Sequence, residues 1–170
     1  MLAAYGAPSY RAKQVFKWLQ SGITSFDEMT NIPLSLRQRL AEDGYLTVTD
    51  IEKKYVSALD GTVKYLYKLY DGEFIESVLM KYEHGYTVCV STQVGCRMGC
   101  KFCASGIGGL VRSLTASEII SQITTAQRDN GIRVSNVVMM GMGEPLDNFD
   151  NCARFLKLVS DPEGLNIGMR

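Results

Sequence analysis

The sequence predicts an α/β fold, with a small N-terminal helical domain and an antiparallel β-ribbon followed by the first units of a partial (β/α) barrel. Three observations predict it. Apolar residues recur at helical spacing up to about residue 44, and they alternate between residues 46 and 82. From residue 86 onward, strand-like and helix-like segments follow one another. We therefore divide the chain into residues 1–45 (helical accessory domain), 46–84 (ribbon or linker) and 85–170 (first part of a barrel).

The N-terminal region is predicted to hold three short helices. Apolar residues between positions 15 and 19 share one face of the first. Ser25 and Glu28 have the spacing of a capping box, which indicates the start of a short second helix. Pro33 suits the first turn of a third helix, which ends at Gly44. A unit this small is typical of an accessory domain.

The ribbon is predicted from alternation and from two turn signals. Asp60-Gly61 and Asp71-Gly72 are dipeptides typical of tight hairpins. Between these two turns, apolar residues occupy every second position, namely Val63, Tyr65, Tyr67 and Leu69. A small antiparallel unit follows from this pattern.

The last region alternates strand and helix. We expect strands over 86–93 and 136–140, and a third strand to begin within 164–170. The helix after the first strand begins at a capping box of Thr115 and Glu118 and ends at Gly131. Two or three parallel strands cannot close a barrel. We therefore expect this chain to be the N-terminal part of a larger protein.

Composition sets further bounds. The chain has 170 residues, with 18 basic and 18 acidic side chains, so the field of the whole molecule does not attract nucleic acid. No apolar run is long enough to predict a membrane span, and the N-terminus lacks the pattern of a signal peptide. Five cysteines occur at positions 89, 96, 100, 103 and 152. Clustered cysteines in a reducing compartment favour a metal or catalytic site, so we expect a cytoplasmic protein without membrane attachment.

The spacing Cys96-x-x-x-Cys100-x-x-Cys103 is the central signal. Three thiolates on one loop can hold three irons of a 4Fe–4S cluster, and the fourth iron stays open to chelate S-adenosylmethionine. Glycines around the ligands allow tight turns, and Phe102 is placed to shield the cluster. The alternative is a structural zinc site. Zinc needs a fourth ligand, usually from a second cysteine pair, and this sequence has no such pair.

A second glycine-rich turn, GMGEP, follows the next predicted strand. Loops after parallel strands meet at one face, which is where such folds place active sites. The glycines allow close backbone approach, and the Glu144 carboxylate is suited to accept a hydrogen bond from a bound ammonium group. The turn is common by itself but specific when it comes one strand after this cysteine loop.

These motifs resemble the radical S-adenosylmethionine superfamily and, within it, the 23S rRNA adenine carbon-2 methyltransferases, whose bacterial members also methylate a tRNA adenine. The resemblance covers nearly the whole chain. YRAKQVFKWL resembles the family's N-terminal helical domain, VCVSTQVGCRMGCKFCASG its cluster segment, and GMGEPLDN its cofactor motif.

The resemblance implies a role for each candidate residue. It implies that Cys96, Cys100 and Cys103 ligate one 4Fe–4S cluster. By the same resemblance, Gly143 and Glu144 contact S-adenosylmethionine, Cys89 is the catalytic cysteine that helps resolve a covalent enzyme–RNA adduct, and Glu76 is a proton acceptor. Alternatives remain for two of them. Glu76 also fits a solvated carboxylate on a hairpin, and alternation with Val88 and Val90 does not say which face Cys89 occupies.

The implied mechanism uses a methylated cysteine near the C-terminus, and here the chain departs from the family. After the cluster motif it has only Cys152, which lies on the apolar face of a predicted helix. We therefore expect this chain to lack the methyl-carrying cysteine and to be inactive by itself. The implied partners are 23S rRNA, tRNA and a reducing electron donor such as flavodoxin, and we expect a monomer.

RNA contact would have to be local. The candidate phosphate contacts are Arg11, Lys13, Lys17, Arg37, Arg39, Arg97, Lys101 and Arg112, and an ordinary solvated face explains each of them equally well. Two rival functions stay open. One is the adenine carbon-8 rRNA methyltransferase of the same superfamily, and the other is a non-catalytic, zinc-containing RNA-binding module.

Overall fold

The N-terminal part is built from two helices in the computed structural model, which describes residues 2–168. Helix α1 spans Tyr10–Gln20 and helix α2 spans Leu34–Asp43, with Pro33 before it and Gly44 after it. They enclose a small apolar core of Val15, Ile23, Met29, Ile32, Leu36 and Leu40. This agrees with the predicted first and third helices.

The predicted second helix is only a single 3-10 turn, Phe26–Glu28. Its capping box is present, with the Ser25 hydroxyl accepting a backbone N–H and Glu28 bonding back to the N-cap. The turn stops because Met29 leaves the helical backbone and becomes fully buried in the N-terminal core. The capping box therefore marks the start of this turn, and burial of Met29 explains its end.

The rest of the described chain forms two sheets and two helices. In chain order the elements are β1 Asp50–Val56, β2 Val63–Lys68, β3 Phe74–Tyr82, β4 Gly85–Cys89, β5 Gln93–Gly95, β6 Leu110–Ser113, α3 Ala116–Asn130, β7 Val134–Val138 and α4 Phe149–Val159. The larger sheet has the order β1-β2-β3-β4-β7, and β5 pairs with β6 in a separate ladder. The β4–β7 pair is parallel and the other pairs are antiparallel. The predicted α/β class is confirmed.

The predicted ribbon does not stand apart from the barrel strands. Strand β3 pairs with β4 from Val78↔Cys89 to Tyr82↔Gly85, so β1, β2 and β3 extend the same sheet. One face of this sheet packs on α3 and α4 around the main core, which includes Tyr67, Val88 and Phe155. The opposite face is open across β3, β4 and β7.

The helix α3 begins and ends as its sequence predicts. Thr115 and Glu118 form the capping box, and Gly131 ends the helix in the left-handed region at φ 61°. The residues before and inside the first turn, Leu114 and Ile119, are both fully buried. The capping box and the burial of these two residues together fix the start of α3 after the cysteine loop.

Three predicted strand ranges were inaccurate. The strand expected over 86–93 ends at Cys89. Beyond it, the Thr92 N–H bonds to the Met142 carbonyl in the loop after β7, and Gln93 already belongs to β5. The strand expected over 136–140 runs over 134–138, where it pairs with β4. Residues 164–168 form no strand, and the last two residues of that prediction lie outside the described residues. Within residues 2–168, no helix is both long and apolar enough to cross a membrane.

Candidate active site

The loops that follow β4 and β7 lie side by side. The Val90 N–H donates to the Val138 carbonyl (2.9 Å), and the Thr92 N–H donates to the Met142 carbonyl (2.8 Å). The Ser91 hydroxyl accepts from the Met142 N–H at 2.9 Å. Because β4 and β7 are parallel neighbours, their carboxyl ends meet at one edge of the sheet. The segment that leads to the cysteine loop and the GMGEP turn therefore both begin at that edge of the sheet.

The buried side chain of Gln93 joins the two loops. Its Oε1 accepts the backbone N–H of Glu144 at 2.9 Å, and its Nε2 donates to Asp147 Oδ2 at 3.0 Å. A second donation goes to the Ser113 hydroxyl at 3.3 Å. Gln93 has no exposed surface, so every polar atom of its amide must find a partner inside the protein. It finds them on the GMGEP turn, on Asp147 just after that turn, and on β6.

Gly143 is required by this close approach. Its φ is 98°, a conformation that side chains other than glycine rarely adopt. A Cβ at this position would lie 2.6 Å from the Gln93 Cβ and 2.7 Å from the Gln93 backbone nitrogen. Any side chain would push the GMGEP turn away from β5. The glycine thus determines how near the two loops can lie.

Glu144 is half-buried and starts a 3-10 turn, Pro145–Asn148. Its Oε1 accepts the Leu146 N–H at 2.9 Å, which caps this turn and fixes the direction of the carboxylate. One carboxylate oxygen is therefore used within the turn. The predicted contact of Glu144 with a bound ammonium group stays a prediction.

Helix α3 anchors the segment between the two sheets. The fully buried Gln122 amide accepts the Ser91 N–H at 2.8 Å and donates to the Ser91 carbonyl at 2.9 Å. The buried Asn148 amide donates to the carbonyls of Thr92 (2.8 Å) and Leu114 (2.7 Å). These side chains satisfy backbone groups that a sheet would otherwise pair, and they hold the chain in a non-strand path.

The three clustered cysteines differ in exposure. Cys96 is buried, with its N–H bonded to the Gly109 carbonyl at 3.0 Å, whereas Cys100 and Cys103 are exposed. The Cys103 N–H donates to the Cys100 carbonyl at 3.1 Å, which forms a turn between these two residues. Gly99 in this loop has φ 69°, in keeping with the predicted tight turn. Phe102, expected to shield a cluster, is instead 94% exposed, because no described element covers that side of the loop.

The donor set of the cysteine loop consists of thiols, which suits an iron–sulfur cluster. Within residues 2–168, no three histidine, cysteine or acidic side chains lie close enough together to hold one metal ion. A cubane does not need such convergence, because each of three irons takes its own thiolate. All five cysteines are free thiols. The Ser105 hydroxyl and its backbone N–H bond to the Cys103 sulfur and lower the pKa of that thiol, which favours the thiolate that binds metals.

Cys89 lies on the open face of the sheet, opposite to the buried Val88 and Val90. It lines a shallow cavity of about 630 Å³, whose walls also include Met80, Thr87, Asn136, Val138 and Met140. Burial raises the pKa of the Cys89 thiol, while a hydrogen bond from the Met140 backbone opposes this shift. The thiol is therefore mostly protonated near neutral pH.

Glu76 shares that open face but does not face Cys89 directly. Residue 78 on β3 pairs with Cys89, and Glu76 is two residues further along β3 on the same side. Its carboxylate forms an ion pair with Lys64 on β2 at 2.7 Å. The structure thus brings the two predicted catalytic residues to one face, on neighbouring strands, and their side chains are not hydrogen-bonded to each other.

Sequence reasoning missed the polar residues that hold this site together. They are Ser91, Gln93, Gln122, Asn148 and the ion pair of Arg97 with Asp147. One signal was available for Gln122, which lies between Ile119 and Ile123 on the apolar stripe of α3. A polar residue on a buried helix face needs a partner, and here the partner is the backbone before the cysteine loop.

Most candidate phosphate contacts already have protein partners. The ion pairs are Lys17 with Glu163 (2.6 Å), Arg112 with Asp71 (2.6 Å) and Glu118 (2.8 Å), and Arg97 with Asp147. Arg11 and Arg37 donate to the backbone carbonyls of Asn31 and Asp27. Pairing reduces the local positive potential. Lys101, on the cysteine loop, is exposed.

Comparison with known families divides the chain in two. Residues 1–46 match the model of the ribosomal RNA large subunit methyltransferase N-terminal domain. Residues 90–170 match the model of the radical SAM superfamily. The second match contains the cysteine motif and the GMGEP turn.

Similar proteins include two curated relatives described as probable dual-specificity RNA methyltransferase RlmN. The one from Alkaliphilus metalliredigens is 58% identical over 97% of this chain and 47% of its own length. The one from Alkaliphilus oremlandii is 55% identical over 100% of this chain and 50% of its own length. The crystal structure of a radical SAM methyltransferase from Sphaerobacter thermophilus matches with a TM-score of 0.89 and 44% identity, over 98% of this chain and 50% of that one. The chain therefore spans about half the length of the relatives it matches.

Proposed function

We propose that this chain belongs to the radical S-adenosylmethionine superfamily and that its first part is the N-terminal domain of the ribosomal RNA large subunit methyltransferases. We further propose that the whole protein methylates adenine carbon-2 in 23S rRNA and tRNA. The family uses a 4Fe–4S cluster and S-adenosylmethionine. One observation carries the proposal for this chain. The cysteine segment and the GMGEP turn leave neighbouring parallel strands and are bridged by buried Gln93.

We assign the cluster to Cys96, Cys100 and Cys103, and the contacts to S-adenosylmethionine to Gly143 and Glu144. The all-thiol donor set and the glycine-bearing loop support the first assignment. The close approach of Gly143 to β5 supports the second, because it brings backbone groups beside the cysteine segment. A cluster held by these three thiolates would supply the electron for reductive cleavage of S-adenosylmethionine.

We assign proton handling to the open face of the sheet. Cys89 keeps its proton near neutral pH because burial raises its pKa, so it can act as a hydrogen-bond donor before it becomes a nucleophile. Its proposed role is to resolve the covalent enzyme–RNA adduct. Glu76 would accept a proton from the same face, and its ion pair with Lys64 must open or shift for that step.

Anaerobic reconstitution of the whole protein tests the cofactor assignment. We expect about four iron and four sulfide per chain, and production of 5′-deoxyadenosine with dithionite and S-adenosylmethionine. Cys100→Ala should abolish that product, and the matched variant Cys152→Ala should retain it because Cys152 is a buried core residue. Stoichiometric zinc without iron uptake would instead support the zinc-module alternative.

Product analysis tests the reaction itself. RNA treated with the whole protein should contain 2-methyladenosine, whereas 8-methyladenosine would identify the rival carbon-8 enzyme. Cys89→Ala should trap a covalent protein–RNA adduct, detectable as a species of lower mobility on a denaturing gel. A cytoplasmic location, a monomeric state and a flavodoxin-type electron donor are further parts of this proposal.

A further inference from the structure

The cysteine loop is weakly held to the rest of the molecule. Residues 97–103 are all exposed, and they include the proposed ligands Cys100 and Cys103. The backbone bonds around them, such as Cys103 N–H to Cys100, stay within the loop. Among residues 2–168, the only side-chain hydrogen bonds from this segment to a residue outside residues 96–109 are those of Arg97.

Those bonds go to Asp147 in the turn after GMGEP. The Arg97 Nε donates to Asp147 Oδ2 at 2.9 Å, and a terminal nitrogen of the guanidinium donates to Oδ1. The pairing is therefore bidentate, which is the geometry that fixes orientation as well as distance. The Asp147 side chain is 13% exposed although Arg97 is 62% exposed. The carboxylate is the more buried half of the pair, and the exposed loop is attached to it.

Asp147 is also connected by hydrogen bonds to the GMGEP turn, through Gln93. Asp147 Oδ2 also accepts from the Gln93 amide at 3.0 Å, and the same amide accepts the Glu144 N–H at 2.9 Å. Arg97, Asp147, Gln93 and Glu144 thus form one hydrogen-bonded chain. It runs from Arg97, which follows the proposed cluster ligand Cys96, to Glu144, which is proposed to bind S-adenosylmethionine.

We propose that Arg97 and Asp147 are positioning residues, which hold the cysteine loop against the GMGEP turn so that both can contact one S-adenosylmethionine molecule. The proposal rests on the proposed function for the identity of that ligand. A ligand held by two loops binds tightly only when the loops are already in place, because otherwise binding must also order them. Arg97 would therefore affect affinity without touching the ligand.

The test measures binding rather than turnover. In the reconstituted whole protein, Arg97→Ala and Asp147→Ala should each raise the Kd for S-adenosylmethionine about 10-fold, the lower end for loss of a supporting partner around a metal site. Equilibrium dialysis gives the Kd, and the iron and sulfide content should stay at the wild-type level because the three thiols remain. Asp147→Glu should restore much of the affinity.

Two controls separate positioning from general damage. Glu163→Ala removes another exposed ion pair, with Lys17, and should leave the Kd unchanged. The double variant of Arg97→Ala and Asp147→Ala should lose no more affinity than Asp147→Ala alone, because Arg97 acts only through its contact with Asp147. Losses that multiply in the double variant, or wild-type affinity in both single variants, would overturn the proposal.

Hydrogen exchange tests the positioning role of Arg97 independently of the proposed function. If the wild-type protein takes up no iron or binds no S-adenosylmethionine, the proposed function fails. The positioning role is then judged on backbone exchange in residues 97–103, which should speed up in Arg97→Ala relative to wild type. Unchanged exchange in that variant would refute the positioning role in its own right.

Discussion

Gln122 offers the sharpest test of how the helix α3 supports the site. Its amide bonds both backbone groups of Ser91, at 2.8 and 2.9 Å, and both residues have no exposed surface. Gln122→Met keeps side-chain length and helix propensity but removes both bonds. The Ser91 N–H and carbonyl are then left buried without partners.

The expected loss follows from that count. A buried group without a partner costs about 1–3 kcal/mol, so two groups cost about 2–6 kcal/mol. Burying the apolar methionine returns about 1–2 kcal/mol of this. Taking the middle of each range, we expect the free energy of unfolding to fall by about 2.5 kcal/mol. With a urea dependence of about 2 kcal/mol per molar, the urea midpoint should move down by about 1 M.

Urea unfolding followed by far-ultraviolet circular dichroism measures this loss. The matched control is Gln38→Met, the same change at an exposed position of α2. It should change stability by no more than about 0.5 kcal/mol. If both variants had the same midpoint, the bonds to Ser91 would not be a source of stability, and our account of how α3 fixes this segment would be wrong.

Three further predictions follow from single residues. Gly143→Ala should weaken S-adenosylmethionine binding at least about 10-fold in equilibrium dialysis, because its Cβ would meet Gln93 at 2.6 Å; wild-type affinity would refute the close approach. The pKa of Glu28 is lowered to about 2, first by the N–H of Thr24. Its contribution to stability is therefore present above pH 4.5 and lost as the pH falls towards 2, so Glu28→Gln should flatten acid unfolding over that range. In cluster-free protein, iodoacetamide should modify exposed Cys100 faster than Cys89, whose pKa is raised by burial; mass spectrometry of peptides reads the order, and equal rates would contradict it.

The predictable parts of the fold are those with local causes. The capping box of α3 and its terminal Gly131 lie within a few residues of the backbone groups they satisfy, so their pattern is readable from the sequence. The cysteine spacing is local for the same reason. The same kind of signal overpredicted at Ser25, where a capping box starts only one 3-10 turn, because burial of Met29 is a tertiary effect.

The polar connections of the site could not be predicted this way. Gln93 and Asp147 are 54 positions apart in the chain, and Ser91 and Gln122 are 31 apart. Their pairing depends on the parallel alignment of β4 with β7 and on the packing of α3, neither of which has a local pattern. The sequence also could not show which face of the sheet Cys89 occupies. Alternation shows that neighbouring residues point to opposite faces, but not which face is buried.

The sequence by itself determined the fold class, the cysteine motif, the glycine-rich turn and the starts and ends of the main helices, because each depends on residues close together in the chain. Only the tertiary structure decided which side of the sheet Cys89 faces, that Glu76 shares this side while paired with Lys64, and that Gln93 and Arg97 join the two loops. These features depend on desolvated hydrogen bonds between distant segments. Such bonds exist only once the segments have packed.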